Sequence, residues 1–371
     1  MSSANDLVNP QVSASGEVDS LTIEKFDGQV KEAYHEKLGM MAYFDLKEVV
    51  GTNTISNKYM GSTAVQALSP GKDVPGQEAE FDKNQLVVDT MVIARNIVWQ
   101  LHDVQDDINA KGRLAKEQVA AFVDLEDRML VQQLAYGAIK NTATKRNDKP
   151  RVKGHGFSID CKVKAETVEH PNAVMAALEF VLEKQLEQNT PLSKFCAIMP
   201  WKYFNVLRDA ERVVNAQYNT ASGAQIEGFV LKSYNLPVCP TNQMPNHDRD
   251  HRDANGDVQT HHLFSKASNG YRYDVINTGD DTMANVVAVI FGTEALMVGR
   301  SVSLQGKIYW NDKNKCYYID TWMAEGAIPD RWEQLSVVRV VEDAKASDDI
   351  TIRTRANRKI LPVTNTPLPT A

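Results

Sequence analysis

The densest set of metal-capable side chains in this sequence is His247, Asp248, Asp250, His251 and Asp253, with His261 and His262 downstream. Imidazole and carboxylate together form the donor set of zinc and manganese sites. A catalytic metal also needs its ligands held by further partners on rigid elements. These residues instead lie in a polar stretch bounded by Pro245 and Asn255-Gly256. A solvated surface loop is the plain reading of 247–262, and a metal-dependent α/β hydrolase is the alternative it leaves open.

Other chemical signatures fail at particular positions. Ser69-Pro70-Gly71-Lys72-Asp73 ends like a phosphate-binding loop, but Gln66 stands where the first glycine is required and Asp73 where Ser or Thr must follow the lysine. There is no G-x-G-x-x-G and no G-x-S-x-G. The basic run Lys140, Lys145, Arg146, Lys149, Arg151 and Lys153 suits phosphates. It lacks the interleaved aromatics that stack single-stranded bases, so it reads as a solvated or intersubunit salt-bridging loop. Cys161, Cys196, Cys239 and Cys316 are 35 or more residues apart, which excludes C-x-x-C zinc or redox motifs and suits buried free thiols. No spacing nominates a Ser/His/Asp or Cys/His set. The expectation is a protein with no catalytic, cofactor-binding or metal-binding residues and no cofactor.

Composition narrows the classes. The chain has 371 residues, 43% hydrophobic and 24% charged, as in ordinary folded proteins. A net charge of −7 argues against a dedicated nucleic-acid binder and does not exclude a shell that merely surrounds nucleic acid. No run approaches the roughly 18 apolar residues of a membrane span. The first residues carry neither a basic segment nor an apolar core, so the reading is a soluble, non-exported product.

The elements that would position any site follow an unusual order. Residues 1–20 are aperiodic and read as a mobile arm. Phe26, Val30, Tyr34 and Leu38 mark one helical face within 22–49. Residues 51–83 are irregular, with Gly51, Gly61, Pro70-Gly71 and Pro75-Gly76 as turn signals, and 58–68 extended between them. The run 85–99 is apolar on both alternating faces and predicts one long strand covered on two sides. Gly112 then divides a short turn from a helix over 114–141. Its stripe of Val119, Phe122, Leu125, Met129, Tyr136 and Ile139 is amphipathic, and about 28 residues at a rise of 1.5 Å span roughly 42 Å. An isolated two-stranded excursion ahead of one long helix has nothing to pack on. It needs neighbours, which points to a subunit of an assembly.

After a polar break at 142–160 the pattern becomes mixed. Helices are predicted at 171–188 and 201–212, and strands at 195–199, 228–238, 271–275 and 285–291. A polar loop spans 241–270. Two further strands, 302–310 and 315–323, flank the turn Asn311-Asp312-Lys313-Asn314. The aromatic residues Tyr309, Trp310, Tyr317, Tyr318, Trp322 and Trp332 read as core.

This layout resembles the major capsid proteins of tailed bacteriophages, particularly those of short-tailed, podovirus-type phages, over about residues 20–342. The resemblance is carried by Asn57-Lys58-Tyr59-Met60 through Leu68-Ser69-Pro70-Gly71, the extended run 82–103, the helix 114–141, and Gly326-Ala327-Ile328-Pro329-Asp330-Arg331-Trp332. It implies an α+β, HK97-like capsid fold. In that layout 1–50 is an N-terminal arm and 51–83 an extended loop lying across a neighbouring subunit. Residues 84–160 are a peripheral domain with a spine helix, 161–300 an axial α/β domain, 301–342 return strands of the peripheral domain and 343–371 a C-terminal tail. The implied intersubunit contacts are Lys58, Tyr59, Met60, Leu68 and Phe81, and the implied spine core is Val119, Phe122, Leu125, Met129 and Tyr136. The resemblance also implies hexamers and pentamers in an icosahedral shell of a virion, assembled in the host cytoplasm around double-stranded DNA. Scaffolding, portal and decoration proteins are the implied partners, with no membrane and no catalysis. An encapsulin-like cellular compartment shares this layout and stays open as an alternative.

Overall fold

The computed structural model describes residues 39–341 except 69, 72, 106–109, 165–167, 169, 192–193, 209–230, 234–235, 246–250, 253–257, 261–282 and 284. The stripe from Phe26 to Leu38, the strand expected at 271–275, the tail 343–371, and His247, Asp248, Asp250, Asp253, His261 and His262 lie outside the described residues.

In chain order the first strands are β1 (Leu46–Glu48), β2 (Thr54–Met60), β3 (Phe81–Val87) and β4 (Val92–Trp99). Helices α1 (Gln100–Gln105) and α2 (Ala110–Lys140) follow, then β5 (Ile159–Lys164), α3 (Pro171–Glu187), β6 (Cys196–Met199) and α4 (Trp201–Arg208). Next come β7 (Leu231–Ser233), β8 (Leu236–Pro240), β9 (His251–Arg252) and β10 (Val258–Thr260). The last strands are β11 (Val286–Phe291), β12 (Leu296–Asn311), β13 (Cys316–Pro329) and β14 (Leu335–Val341).

Two sheets share α2. One has four strands in the order β1-β12-β13-β4, and the other six in the order β5-β14-β11-β6-β8-β7. Period-two alternation explains why the six-stranded sheet is apolar on both faces. Cys196, Ile198, Val289 and Phe291 join the core of α2, while Ala197, Met199, Ala288 and Ile290 join the core of α3 and α4, and a register shift between Val286 and Ala288 turns Val287 to that side as well. The same logic explains the C-terminal half of α2. Leu130, Val131, Leu134, Ala135 and Ala138 are all fully buried because β13, β14 and β11 surround that half. The helix is held closely there: a Cβ on Gly137 would lie 2.6 Å from Pro329 Cγ and 2.9 Å from Leu335 Cδ1.

Several expectations change. Gly112 lies within α2, which runs unbroken from Ala110. Of the expected spine core, Phe122 and Met129 are buried, Leu125 and Tyr136 are half-buried, and Val119 is exposed. Gln118 takes the inward position instead, donating to Asn96 Oδ1 (3.0 Å) and Ile319 O (2.9 Å) and accepting from Thr321 Oγ1 (2.7 Å). A satisfied amide is buried as readily as a methyl group, which apolar periodicity does not register.

The run 85–99 is two strands rather than one. β3 pairs with β2, and β4 pairs with β13 in another sheet. The chain changes partner after Val88, whose N donates to Asn53 O (2.8 Å) as a last rung beside the β2 ladder, and β4 begins its pairing with β13 at Val92. The extended stretch expected at 58–68 stops at Met60. Within 22–49, the described part holds a short 3₁₀ turn at Met40–Tyr43 and β1 rather than a continuing helix. The strand expected at 228–238 contains two strands, β7 and β8, paired antiparallel. The segment 301–342 does not return as one unit. β12 and β13 form a long hairpin in the four-stranded sheet, whereas β14 pairs with β5 and β11 in the other.

Candidate assembly surface

The β2–β3 hairpin pairs Thr54 with Val87 through to Met60 with Phe81. Its two faces differ sharply. Ile55, Asn57 and Tyr59, with Asn84 and Leu86, are buried or half-buried, whereas Lys58, Met60, Phe81 and Lys83 are exposed. Met60 opposes Phe81, and Lys58 opposes Lys83. Like charges directly opposite weaken a strand pair, so this face is apolar and cationic without internal compensation between the two lysines.

Beyond the hairpin, residues 61–80 have no regular secondary structure where described. Polar bonds close the excursion at its root: Gly61 N donates to Glu80 O (2.8 Å), Ser62 N to Lys153 O (2.7 Å), and Lys153 N to Glu80 Oε2 (2.9 Å). Further out, Val65 is 100% exposed and Leu68 76%. Phe81 is 70% exposed and Met60 62%. Four large apolar side chains thus lie exposed on this loop and the hairpin that carries it.

The root is anchored by Asp330, at the end of β13. Its carboxylate accepts from the Tyr59 hydroxyl, from Asn57 Nδ2 (2.6 Å) and from Asn84 Nδ2 (2.9 Å). Burial, followed by the Asp330 hydrogen bond, pushes the Tyr59 phenol well above its ordinary range, so it stays a donor. Arg151 lies over the Tyr59 ring (4.6 Å) and over Trp332 (4.5 Å), and Arg146 also lies over Trp332 (4.5 Å). Burial, with the neighbouring Arg151 charge, pulls the Arg146 guanidinium down from its usual value.

Of the expected contact residues, the structure exposes Lys58, Met60, Leu68 and Phe81 and buries Tyr59. Tyr59 is an anchor within its own chain, because its hydroxyl requires the Asp330 acceptor. Of the basic run, Lys145, Arg146, Lys149 and Lys153 are exposed, with Arg146 resting its guanidinium on the Trp332 ring, while Arg151 is half-buried between Tyr59 and Trp332. Asn57, Asn84 and Asp330 were not among the expected site residues. Asn57 and Asp330 lie 273 residues apart, and no local signal links them.

A cleft of 420 Å³ opens beside this root, lined by Asp45, Lys47, Asn57, Tyr59 and Asp330 among others. Lys47 Nζ donates to Asn57 Oδ1 at 2.5 Å. The cleft wall is thus a chain of hydrogen bonds that positions the loop. Among the described residues no group of three or more His, Cys, Asp or Glu side chains is placed to hold a metal. His251 lies on β9. The free cysteines Cys161, Cys196 and Cys316 are buried, and Cys239 is half-buried.

No family model matches the chain, and no curated protein matches it. Solved structures do. The capsid of Cyanophage P-SCSP1u shares 14% identity, with 86% of this chain and 93% of that chain covered at a TM-score of 0.68. The mature capsid of bacteriophage PhiM1 shares 14% identity over 91% of this chain and 97% of that chain, at 0.67. The Cyanophage Pam1 capsid shares 11% identity over 90% and 98%, at 0.55. The chain therefore has the α+β, HK97-like capsid fold.

Proposed function

We propose that this protein is the major capsid protein of a tailed bacteriophage of the short-tailed type, assembling as hexamers and pentamers into an icosahedral shell around double-stranded DNA. The observation that carries the reading is a fold shared with phage capsids along nearly the whole of both chains. The exposed apolar loop adds support, because Met60, Val65, Leu68 and Phe81 are largely uncovered among the described residues. In the assembled state the loop lies across a neighbouring subunit, and Lys58, Met60, Leu68 and Phe81 make the contact. One polypeptide that must fit five- and six-fold surroundings benefits from a projecting arm on a rigid body. A scaffolding protein directs closure, a portal occupies one vertex, and a decoration protein is a further partner. The role involves no turnover and no cofactor. Spine and sheet (84–160 with β12 and β13) form the peripheral part, and the six-stranded sheet forms the axial part.

Negative-stain electron microscopy of the purified protein, expressed with and without a neighbouring scaffolding gene, tests this. Closed polyhedral particles or capsomer-sized rings are expected. A uniform small oligomer under both conditions would overturn the proposal and direct attention to metal content and hydrolase activity.

A further inference from the structure

A partly buried charge cluster joins α2 to the four-stranded sheet. Arg300, on β12, donates from Nε to Glu325 Oε2 (2.7 Å) and from Nη2 to Glu126 Oε1 (2.8 Å). Glu325 is its cross-strand partner on β13, and Glu126 belongs to α2. The Glu325 side chain is 0% exposed, and its Oε1 has no hydrogen-bond partner. Other charged groups nearby are differently engaged. Asp127 Oδ1 accepts from Met40 N (2.9 Å) and Oδ2 from Gly39 N (3.2 Å), holding the start of the described chain. On β1, Glu48 stands in register with Arg300 and is exposed.

Two carboxylates therefore share one guanidinium, with Glu325 fully enclosed and Glu126 and Arg300 partly exposed. With both ionised, the cluster carries an uncompensated buried negative charge. With one proton bound it is neutral, and the orphaned Oε1 of Glu325 becomes a place for that proton.

We propose that a proton held on the Glu126–Glu325 pair is a structural part of this junction, and that its release loosens α2 from the sheet beside the Asp127 contact with Gly39 and Met40. The device is independent of the capsid reading and operates in a single chain. Burial first, and then the Glu126 charge, push the Glu325 carboxyl up to about 8 against the opposing pull of Arg300. Burial likewise raises Glu126. Because the folded value lies above the ordinary one, the folded chain keeps a proton that the unfolded chain has released. The contribution is complete below the ordinary carboxylate range and is lost as pH rises through about 8. A carboxylate stabilised in its charged form by a simple ion pair behaves in the opposite way.

The test is urea unfolding of the purified full chain between pH 6 and pH 9, comparing wild type with Glu325→Gln and Glu126→Gln. In wild type the unfolding constant is expected to rise with pH by up to about tenfold per unit for one linked proton. Glu325→Gln keeps the neutral shape and removes that part of the slope. Glu126→Gln leaves Arg300 and Glu325 as a one-to-one pair and flattens it as well. Wild-type slopes in both variants would overturn the proposal, since a purely structural role shifts stability equally at every pH. Should either variant fail to fold, carboxyl ¹³C NMR of wild type decides. A glutamate titrating well above the ordinary range supports the shared proton, and its absence refutes it.

Discussion

The Tyr59 hydroxyl donates to the Asp330 carboxylate across 271 residues of sequence, tying the projecting hairpin to the end of β13. Asn57 and Asn84 donate to the same carboxylate. Replacing Asp330 with Ala leaves three buried or half-buried donors without this acceptor, and should cost about 2–4 kcal/mol. Tyr59→Phe removes one donor and should cost about 1–2 kcal/mol. Denaturant midpoints of the two variants check the ranking. Equal, negligible losses would mean that the hairpin root is not part of the cooperative unit.

The buried face of α2 is open to a paired test. Phe122→Ala should destabilise by about 3–5 kcal/mol, because a buried aromatic leaves a cavity. Val119→Ala, three residues earlier on the exposed side, should change stability by less than about 0.5 kcal/mol. Similar values for both would mean that this side of α2 is covered in solution.

Close approach at Gly137 gives a different kind of prediction. An added methyl group collides with Pro329 and Leu335, so Gly137→Ala should destabilise by about 1–3 kcal/mol even though alanine favours helix. A thermal melt showing stabilisation would indicate that β13 and β14 yield at this contact.

The opposed Lys58 and Lys83 separate the stability of the hairpin from its use. Lys83→Glu converts repulsion into attraction across the strands and should stabilise the single chain by less than about 1 kcal/mol. If the same face meets a neighbouring subunit, particle yield in electron micrographs should nevertheless fall. An unchanged yield would remove Lys83 from the contact.

Shortening the excursion tests the assembly role directly. Replacing 63–78 with a short Gly-Ser link preserves the bond from Gly61 N to Glu80 O that closes the root. Stability should stay within about 1 kcal/mol of wild type, because the loop tip has little cover. Closed particles should be absent. Normal shells from this variant would refute an intersubunit role for the loop.

Local periodicity and turn chemistry make several elements legible before any fold is known. The long helix was legible because apolar residues recur at helical spacing for several turns. The β12–β13 hairpin was legible because Asn311-Asp312-Lys313-Asn314 interrupts two aromatic strands, and α3 because Pro171 opens an apolar repeat. Partners and burial depend on contacts between segments distant in the chain. The 85–99 run looks continuous because both strands in it are apolar, and the change of partner between Val88 and Val92 becomes visible only when β2 and β13 are in place. Gln118 rather than Val119 turns inward because Asn96, Ile319 and Thr321, from other strands, satisfy its amide. Arg146 and Arg151 pack on Trp332 because an aromatic face far away in sequence takes up their charge. Asp330 with Tyr59, and Arg300 with its two glutamates, follow the same rule. A buried polar group is set by the complement that folding brings to it, and that complement is written elsewhere in the chain.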